Sequence, residues 1–146
     1  MKFWTFCSTI IQEKIAFRRG RPKDYYDDYF SKYQPLDKVE EFIKKIASEN
    51  SDIASIEVIG KSYEKRDQTV LKLGNPNAKL ALWLDSTIHA REWITTATSA
   101  WIVKELVEGY KKGDQEIVQL LKDFQLYFLL VFNVDGYQYT HTNVIN

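Results

Sequence analysis

Cysteine and histidine are both scarce in this sequence of 146 residues. Cys7 is the only cysteine, which excludes an intrachain disulfide and any zinc site built from cysteine ligands. Cysteine usage therefore cannot indicate an oxidising compartment. His89 and His141 are the only histidines, so a metal site in this chain has at most two imidazole ligands.

An excess of charge of either sign is missing as well. Twenty basic and twenty acidic residues give a formal net charge of +0, which argues against a nucleic-acid partner and against a polybasic membrane protein. With 45% hydrophobic and 14% aromatic residues, the chain has enough apolar side chains to form one core. Any partner must therefore be inferred from specific sites.

Long hydrophobic runs are also absent, and no transmembrane segment is predicted. Residues 1–11 contain one lysine followed by a short, mostly apolar run, which loosely resembles a secretory signal. Hydroxyl side chains dilute this run, and no clear small-residue cleavage site follows it. A disordered or packed N-terminus is the alternative, and it is slightly preferred.

Regular structure is predicted to begin at Pro35, after a leader and linker comprising residues 1–33. Arg18–Pro22 is basic, Asp24–Tyr29 is rich in acidic residues and tyrosine, and neither stretch has a period that would bury one face. After Pro35 apolar residues recur at 3.6-residue spacing, which predicts an amphipathic helix. These residues are Leu36, Val39, Phe42, Ile43 and Ile46.

Four strands are predicted from short apolar segments that turn residues and polar loops separate. The last segment is continuously apolar instead of alternating, which predicts a strand buried on both faces. The predicted strands are Ile53–Gly60, Thr69–Leu73, Lys79–Leu84 and Gln125–Phe132.

Two further helices are predicted between the third and fourth strands. A helical period runs from Glu92 to Gly109, and a second one runs from Asp114, a plausible N-cap, to Phe124. The order of helix, three strands, two helices and strand predicts an α/β fold, with a mixed sheet and helices packed on it. Chemistry in such sheets tends to lie at the carboxyl ends of strands.

One pair of polar residues follows the third predicted strand. His89 and Glu92 are three residues apart at a junction between a strand and a helix. A tight turn can direct an imidazole nitrogen and a carboxylate oxygen to one point, and both ligand types suit Zn²⁺. The pair alone is a weak signal, because an ion-paired surface histidine beside a helix N-terminal glutamate is the commoner arrangement.

Several motifs give this pair a wider context, through their order along the chain and the spacing between them. They are Gly60–Arg66, Ile88–Thr95, Asn133–Tyr137 and Thr140–Thr142. Together they resemble the first part of the carboxypeptidase A/B group of zinc metallocarboxypeptidases, the peptidase M14 family. The resemblance extends from about Asp24 to Thr142 and implies an incomplete metallocarboxypeptidase fold over residues 34–142.

The resemblance implies a function and a set of site residues. His89 and Glu92 correspond to two of the three protein ligands of one catalytic Zn²⁺, and Arg91 corresponds to an arginine that binds peptide substrate. Peptide or protein C-termini are the implied substrates, and an extracellular, secreted location is implied with them. His141 resembles a position beside the Asp-Gly turn, not a ligand, and is expected to be a polar loop residue.

The remaining catalytic groups of the family lie beyond the region that corresponds to Thr142. No catalytic residue is therefore assigned in this chain, and the third protein ligand of zinc is expected to be missing from it. Val134 stands where the family usually has proline, and residues 143–146 form a divergent tail. The first departure bears only on the geometry of the turn. The divergent tail and the missing groups favour a truncated, inactive form of a carboxypeptidase, whose zinc would be bound weakly.

Two alternatives remain open from the sequence. One is a non-catalytic module that binds peptide or a partner, and the other is an unrelated α/β domain without metal. Trp83, Trp93 and Trp101 are expected to be core residues in each case. The strand Leu126–Phe132 is expected to lie inside the sheet of the complete domain. A chain that ends soon afterwards is expected to leave it uncovered and to expose an apolar edge, with low solubility and a weakly cooperative fold as the result.

Overall fold

The computed structural model describes residues 25–143. The chain divides into two compact units, Met1–Lys32 and Tyr33–Asn146. The described part of the first unit contains helix α1, Tyr25–Tyr29, in which Tyr29 is buried. Regular structure was predicted to begin at Pro35, and this was wrong at α1, because such a short helix cannot reveal a period. Arg18–Pro22 and the possible signal segment lie outside the described residues.

The second unit contains a four-stranded mixed sheet, which confirms the predicted fold class. The strands stand in the order β1-β2-β4-β3, where β2 pairs antiparallel with β1 and β4, and β3 pairs parallel with β4. The strands are β1, Ala54–Lys61, β2, Asp67–Gly74, β3, Leu80–Asp85, and β4, Phe124–Leu129. The first three lie within two residues of their predicted positions.

Strand β4 ends three residues earlier than the sequence indicated. Leu130 and Val131 are buried, but they no longer pair with β2 or β3. At this point the backbone turns instead toward the end of β3, where the Ser86 carbonyl accepts from the Phe132 amide at 2.8 Å. The apolar run therefore predicted burial correctly and strand length wrongly, because burial does not require pairing.

In the described part of the second unit, residues 33–143, four helices accompany the sheet. Asp114 is the N-cap that the sequence predicted, because its carboxylate accepts from the amides of Glu116 and Ile117. Of the described helices, none is long and apolar enough to cross a membrane. The helices are α2, Leu36–Glu49, α3, Trp93–Lys111, α4, Gln115–Asp123, and α5, Val134–Thr142.

Helix α5 was missed by the sequence analysis, which placed a turn at Asn133–Tyr137 and His141 in a loop. Asn133 is the N-cap of α5, and its side-chain oxygen accepts from the Gly136 amide at 2.9 Å. His141 therefore lies in the last turn of a helix, and its predicted loop position was wrong. Glycine within the first turn conceals this helix, since glycine has a poor helix propensity.

The core lies at the centre of the sheet, on strands β2 and β4. Val70 and Leu71 are successive residues of β2, and each has a relative exposure of 0%. Successive strand residues point to opposite faces, so both faces of the sheet are covered here. The main apolar contribution from α2 comes from Val39, Phe42 and Ile46, which are all buried. The centre of the sheet is therefore packed on both sides.

The edges of the sheet are exposed, and this overturns two expectations. Strand β4 lies inside the sheet, between β2 and β3, as expected for the complete domain, but it is not left uncovered in this chain. The apolar strand at an exposed edge is β3. Leu82 on β3 is 49% exposed, and Trp83 is 46% exposed, so Trp83 is not a core residue. The Trp83 ring stacks on Tyr127, with centroids 6.1 Å apart. Trp93 and Trp101 are half-buried.

Candidate metal centre

The candidate site lies where β3 and β4 end side by side. Because these strands are parallel, with Asp85 opposite Leu129, their carboxyl ends meet at the same edge of the sheet. Polar and reactive groups commonly collect at such an edge. The segment 86–92, which connects β3 to α3, starts here and carries the candidate residues.

The backbone of this segment takes an unusual conformation near its start. Thr87 has a φ of 57°, which is unusual for a β-branched residue. Its amide donates to the Thr95 hydroxyl at 3.0 Å, and its own hydroxyl contacts the Thr96 hydroxyl. Thr87 is 2% exposed, so buried bonds to the first turns of α3 hold the strained backbone in place.

His89 and Glu92 form one turn shortly after Thr87. The Glu92 amide donates to the His89 carbonyl at 3.0 Å, which closes the turn. The imidazole Nδ1 of His89 lies 3.3 Å from the carboxylate Oε1 of Glu92. The side chains are 78% and 50% exposed, respectively, and Arg91 is exposed on the same turn. The turn thus brings all three predicted site residues together in solvent.

The donor atoms of this pair fit a zinc ion. Two ligands at 2.0–2.2 Å from a tetrahedral zinc lie about 3.3–3.6 Å apart, and the separation of Nδ1 and Oε1 falls in that range. An imidazole nitrogen with a carboxylate oxygen is also a suitable donor set for zinc. Across residues 25–143, no group of three histidine, cysteine or acidic side chains is arranged to hold a metal.

His141 packs against the residue that follows Glu92. Its ring stacks on Trp93 with centroids 4.0 Å apart and an interplanar angle of 13°. Its Nε2 is buried and has no hydrogen-bond partner within the described part of the chain. Burial lowers the pKa of His141, because the charged imidazolium loses hydration. The neutral ring therefore serves as an apolar surface for the Trp93 indole.

A second polar cluster joins two of the sequence motifs. The Asp135 carboxylate accepts from the Ser62 hydroxyl at 2.7 Å, from the Glu64 amide at 3.0 Å and from the Arg66 guanidinium at 2.6 Å. Desolvation alone would raise the pKa of Asp135, but these bonds lower it below its usual value. The loop after β1 is thereby attached to the first turn of α5. The residues in contact are about 70 positions apart, and no pattern in a single sequence indicates that they meet.

Comparison with known proteins identifies the relatives of this chain. Residues 39–145 match Peptidase_M14, described as zinc carboxypeptidase. Carboxypeptidase B of Rattus norvegicus is 40% identical over 115 residues, which are 77% of this chain and 27% of the relative. Carboxypeptidase A5 of Macaca fascicularis is 38% identical over 132 residues, which are 90% of this chain and 30% of the relative.

The solved structure of bovine thrombin-activatable fibrinolysis inhibitor, in complex with tick carboxypeptidase inhibitor, is similar in fold. It has a TM-score of 0.69 and 36% identity, and the match covers 79% of this chain and 36% of that one. This chain thus spans between 27% and 36% of the length of these three proteins. Its mixed sheet matches part of the carboxypeptidase fold. The chain belongs to the zinc carboxypeptidase family, Peptidase_M14.

Proposed function

We propose that His89 and Glu92 are zinc ligands, and that this chain forms part of a carboxypeptidase that removes C-terminal residues from peptides. The observation that carries the proposal is the 3.3 Å separation of Nδ1 and Oε1 on one exposed turn. Membership of a family described as zinc carboxypeptidase supports the choice of metal. When bound, zinc polarises a carbonyl and lowers the pKa of water.

Arg91 is the proposed substrate-binding residue. Its side chain is exposed on the same turn as the two ligands, so a peptide close to the metal would pass within its reach. A guanidinium can donate two parallel hydrogen bonds to a carboxylate or to peptide carbonyls, which suits a role in orienting substrate. A lysine in its place would keep the charge but lose the planar geometry.

Zinc binding by the 146-residue chain should be weak. The two proposed ligands leave at least half of a tetrahedral shell to water, and the other histidine is stacked on Trp93. Peptide hydrolysis by these residues alone is not expected, because no positioned base is assigned among them.

The domain arrangement inferred from the sequence, with a partial catalytic domain at residues 34–142, remains a prediction, as does the extracellular location.

Isothermal titration with Zn²⁺ tests the proposed ligands directly. We expect measurable binding by the wild-type chain and its loss in His89→Ala and Glu92→Gln. Glu40→Gln is the matched control, because Glu40 is a carboxylate on α2 whose ion-pair partner within residues 25–143 is Lys44. Equal binding by the wild-type chain and His89→Ala, or no binding by either, would contradict the proposed site.

A peptide assay separates hydrolysis from binding alone. For a longer protein that contains this chain, we expect release of the terminal residue from a peptide with a free carboxylate. We expect no release from the same peptide with a C-terminal amide. Arg91→Ala should raise KM for the free peptide. Binding of the peptide without any release would favour the non-catalytic binding module.

A further inference from the structure

We infer that helix α5 positions the proposed ligand turn, through Thr140 and Gly136. This inference rests on the proposed zinc site, because it concerns the same turn. His89 and Glu92 are largely exposed, so packing of their own side chains cannot fix their directions. Their orientation must instead come from the backbone between Ile88 and Trp93. Each contact that restrains this backbone pre-organises the pair and reduces the entropy lost on metal binding.

The hydroxyl of Thr140 contacts the turn at two places. It accepts a hydrogen bond from the Trp93 indole Nε1 at 3.0 Å, and it lies 3.2 Å from the Ala90 carbonyl. Its single proton is shared between this carbonyl and that of Tyr137, at 2.9 Å. Ala90 follows His89, and Trp93 follows Glu92. One side chain on α5 therefore contacts the backbone next to His89 and the indole side chain next to Glu92.

Gly136 allows α5 to approach the turn closely. A Cβ atom at this position would lie 2.7 Å from the Cβ of Ala90 and 2.8 Å from Nδ2 of Asn133. Both distances are too short for real carbon neighbours, so only glycine fits without a shift of the helix or of the turn. The first turn of α5 is thus in direct contact with the residue between His89 and Arg91.

Asn133 attaches the start of α5 to the segment before His89. Its amide donates to the Thr87 carbonyl at 3.2 Å, and its side-chain nitrogen donates to the Ile88 carbonyl at 3.4 Å. The stacking of His141 on Trp93 adds a restraint at the other end of the turn. Helix α5 and its N-cap therefore contact the residues before the turn, the turn itself and the residue after it.

Thr140→Val tests the inference, because valine keeps the shape of threonine and removes its hydroxyl. Two variants accompany it. Thr140→Ser retains the hydroxyl. Thr142→Val removes an exposed hydroxyl that, within residues 25–143, bonds to carbonyls of its own helix and to the Asn143 side chain. The first measurement is amide hydrogen exchange without metal, which reports the turn amide of Glu92 and the interior amide of Phe128 separately.

We expect exchange of the Glu92 amide to accelerate about tenfold or more in Thr140→Val, with no matching change at Phe128. Thr140→Ser and Thr142→Val should exchange at the wild-type rate. A merely structural role would accelerate both amides equally, through lower global stability. An unchanged Glu92 rate in Thr140→Val, or equal acceleration at both amides, would overturn the inference whether or not the chain binds zinc.

Zinc titration of the same variants provides the second readout. Removing an outer contact of a metal site typically weakens metal binding by about 10–100-fold, and we expect a loss of about tenfold in Thr140→Val and in Gly136→Ala. Thr142→Val should bind as the wild type does. Affinity that is equal in wild type and Thr140→Val would overturn the positioning role, whereas indifference to His89→Ala would reject the proposed ligands instead.

Discussion

The interior and edge strands of the sheet have similar apolar sequences but opposite surroundings. On β4, Leu126 and Phe128 are 2% and 1% exposed. On β3, Leu82 pairs with Leu126 in the parallel ladder, yet it is 49% exposed. Strand β1 resembles β3 in this respect, since Ile56 is 42% exposed. Burial in this sheet therefore follows strand order and not the hydrophobicity of each strand.

This difference separates two kinds of contribution to stability. Interior side chains are removed from water on folding and make close contacts, so their loss leaves cavities. Edge side chains keep much of their contact with water, and the backbone of the edge strand has ladder partners on one side only. Interior substitutions should therefore change the free energy of unfolding, while edge substitutions should change association between molecules.

The largest effect is expected from Phe128→Ala. Truncating a fully buried phenylalanine typically reduces the free energy of unfolding by about 3–5 kcal/mol, and urea denaturation would measure it. Leu82→Ala on the edge is the comparison, for which we expect about 1 kcal/mol or less. Similar losses in the two variants would show that the edge strand is as well packed as the centre.

A somewhat smaller effect is expected from Gly74→Ala at the end of the interior strand β2. Gly74 has a φ of 97°, and an added Cβ would meet the backbone carbonyls of Phe124 and Leu121. Backbone strain and overpacking together should lower stability by about 2–4 kcal/mol. Gly113 also has a positive φ, of 71°, but an added Cβ would contact no neighbour there.

Gly113→Ala therefore isolates the backbone strain from the steric clash. We expect it to lower the free energy of unfolding by about 1–2 kcal/mol, measured in the same urea titration. A loss in Gly74→Ala that does not exceed the loss in Gly113→Ala would mean that the end of β2 yields easily and is less tightly packed than the centre of the strand.

Acid should weaken the contact that holds the loop after edge strand β1. The pKa of Asp135 is lower in the folded protein than its ordinary value of 3.8. At pH values between the folded and the unfolded pKa, the unfolded state therefore binds more protons than the folded state. The contribution of the Asp135 carboxylate to the free energy of unfolding is complete above the unfolded pKa, and it is lost as pH falls through the folded pKa. Urea midpoints of wild type and Asp135→Asn should converge between about pH 5 and the acid limit. A difference that is constant with pH would contradict this.

The smallest effect on stability is expected from Leu82→Lys on β3. A charged side chain at an exposed strand edge opposes pairing with another molecule, so sedimentation should show less self-association. The free energy of unfolding should change by only about 0.5 kcal/mol. Ile56→Lys on β1 tests whether the other edge behaves in the same way. Unchanged association in both variants would mean that neither edge is responsible for it.

The parts of the fold that the sequence predicted are those with local causes. The period of α2 predicted its buried face, and Asp114 caps α4 through amides two and three residues away. The order of the strands could not be predicted, because pairing of β4 with both β2 and β3 depends on segments far apart in the chain. This is why the exposed apolar edge was expected on the wrong strand.

The candidate site shows the same division between local and distant causes. His89 and Glu92 were predicted from a spacing of three residues, and a turn does bring their donor atoms together. The contact from Thr140 to Trp93 joins residues 47 positions apart, and no pattern in one sequence indicates it. Glycine at position 136 also lowered the helical signal at the place where close approach requires it.

The insertion of β4 between β2 and β3 also determines the order in which the sheet can form. Strands β1 and β2 are adjacent in sequence and can pair as soon as both have been synthesised. Strand β3 has one sheet partner among residues 25–143, and this partner, β4, leaves the ribosome only after residues 86–123. During that interval Leu80, Leu82 and Trp83 have no sheet neighbour. We expect this interval to be the time at which the nascent chain most needs a chaperone.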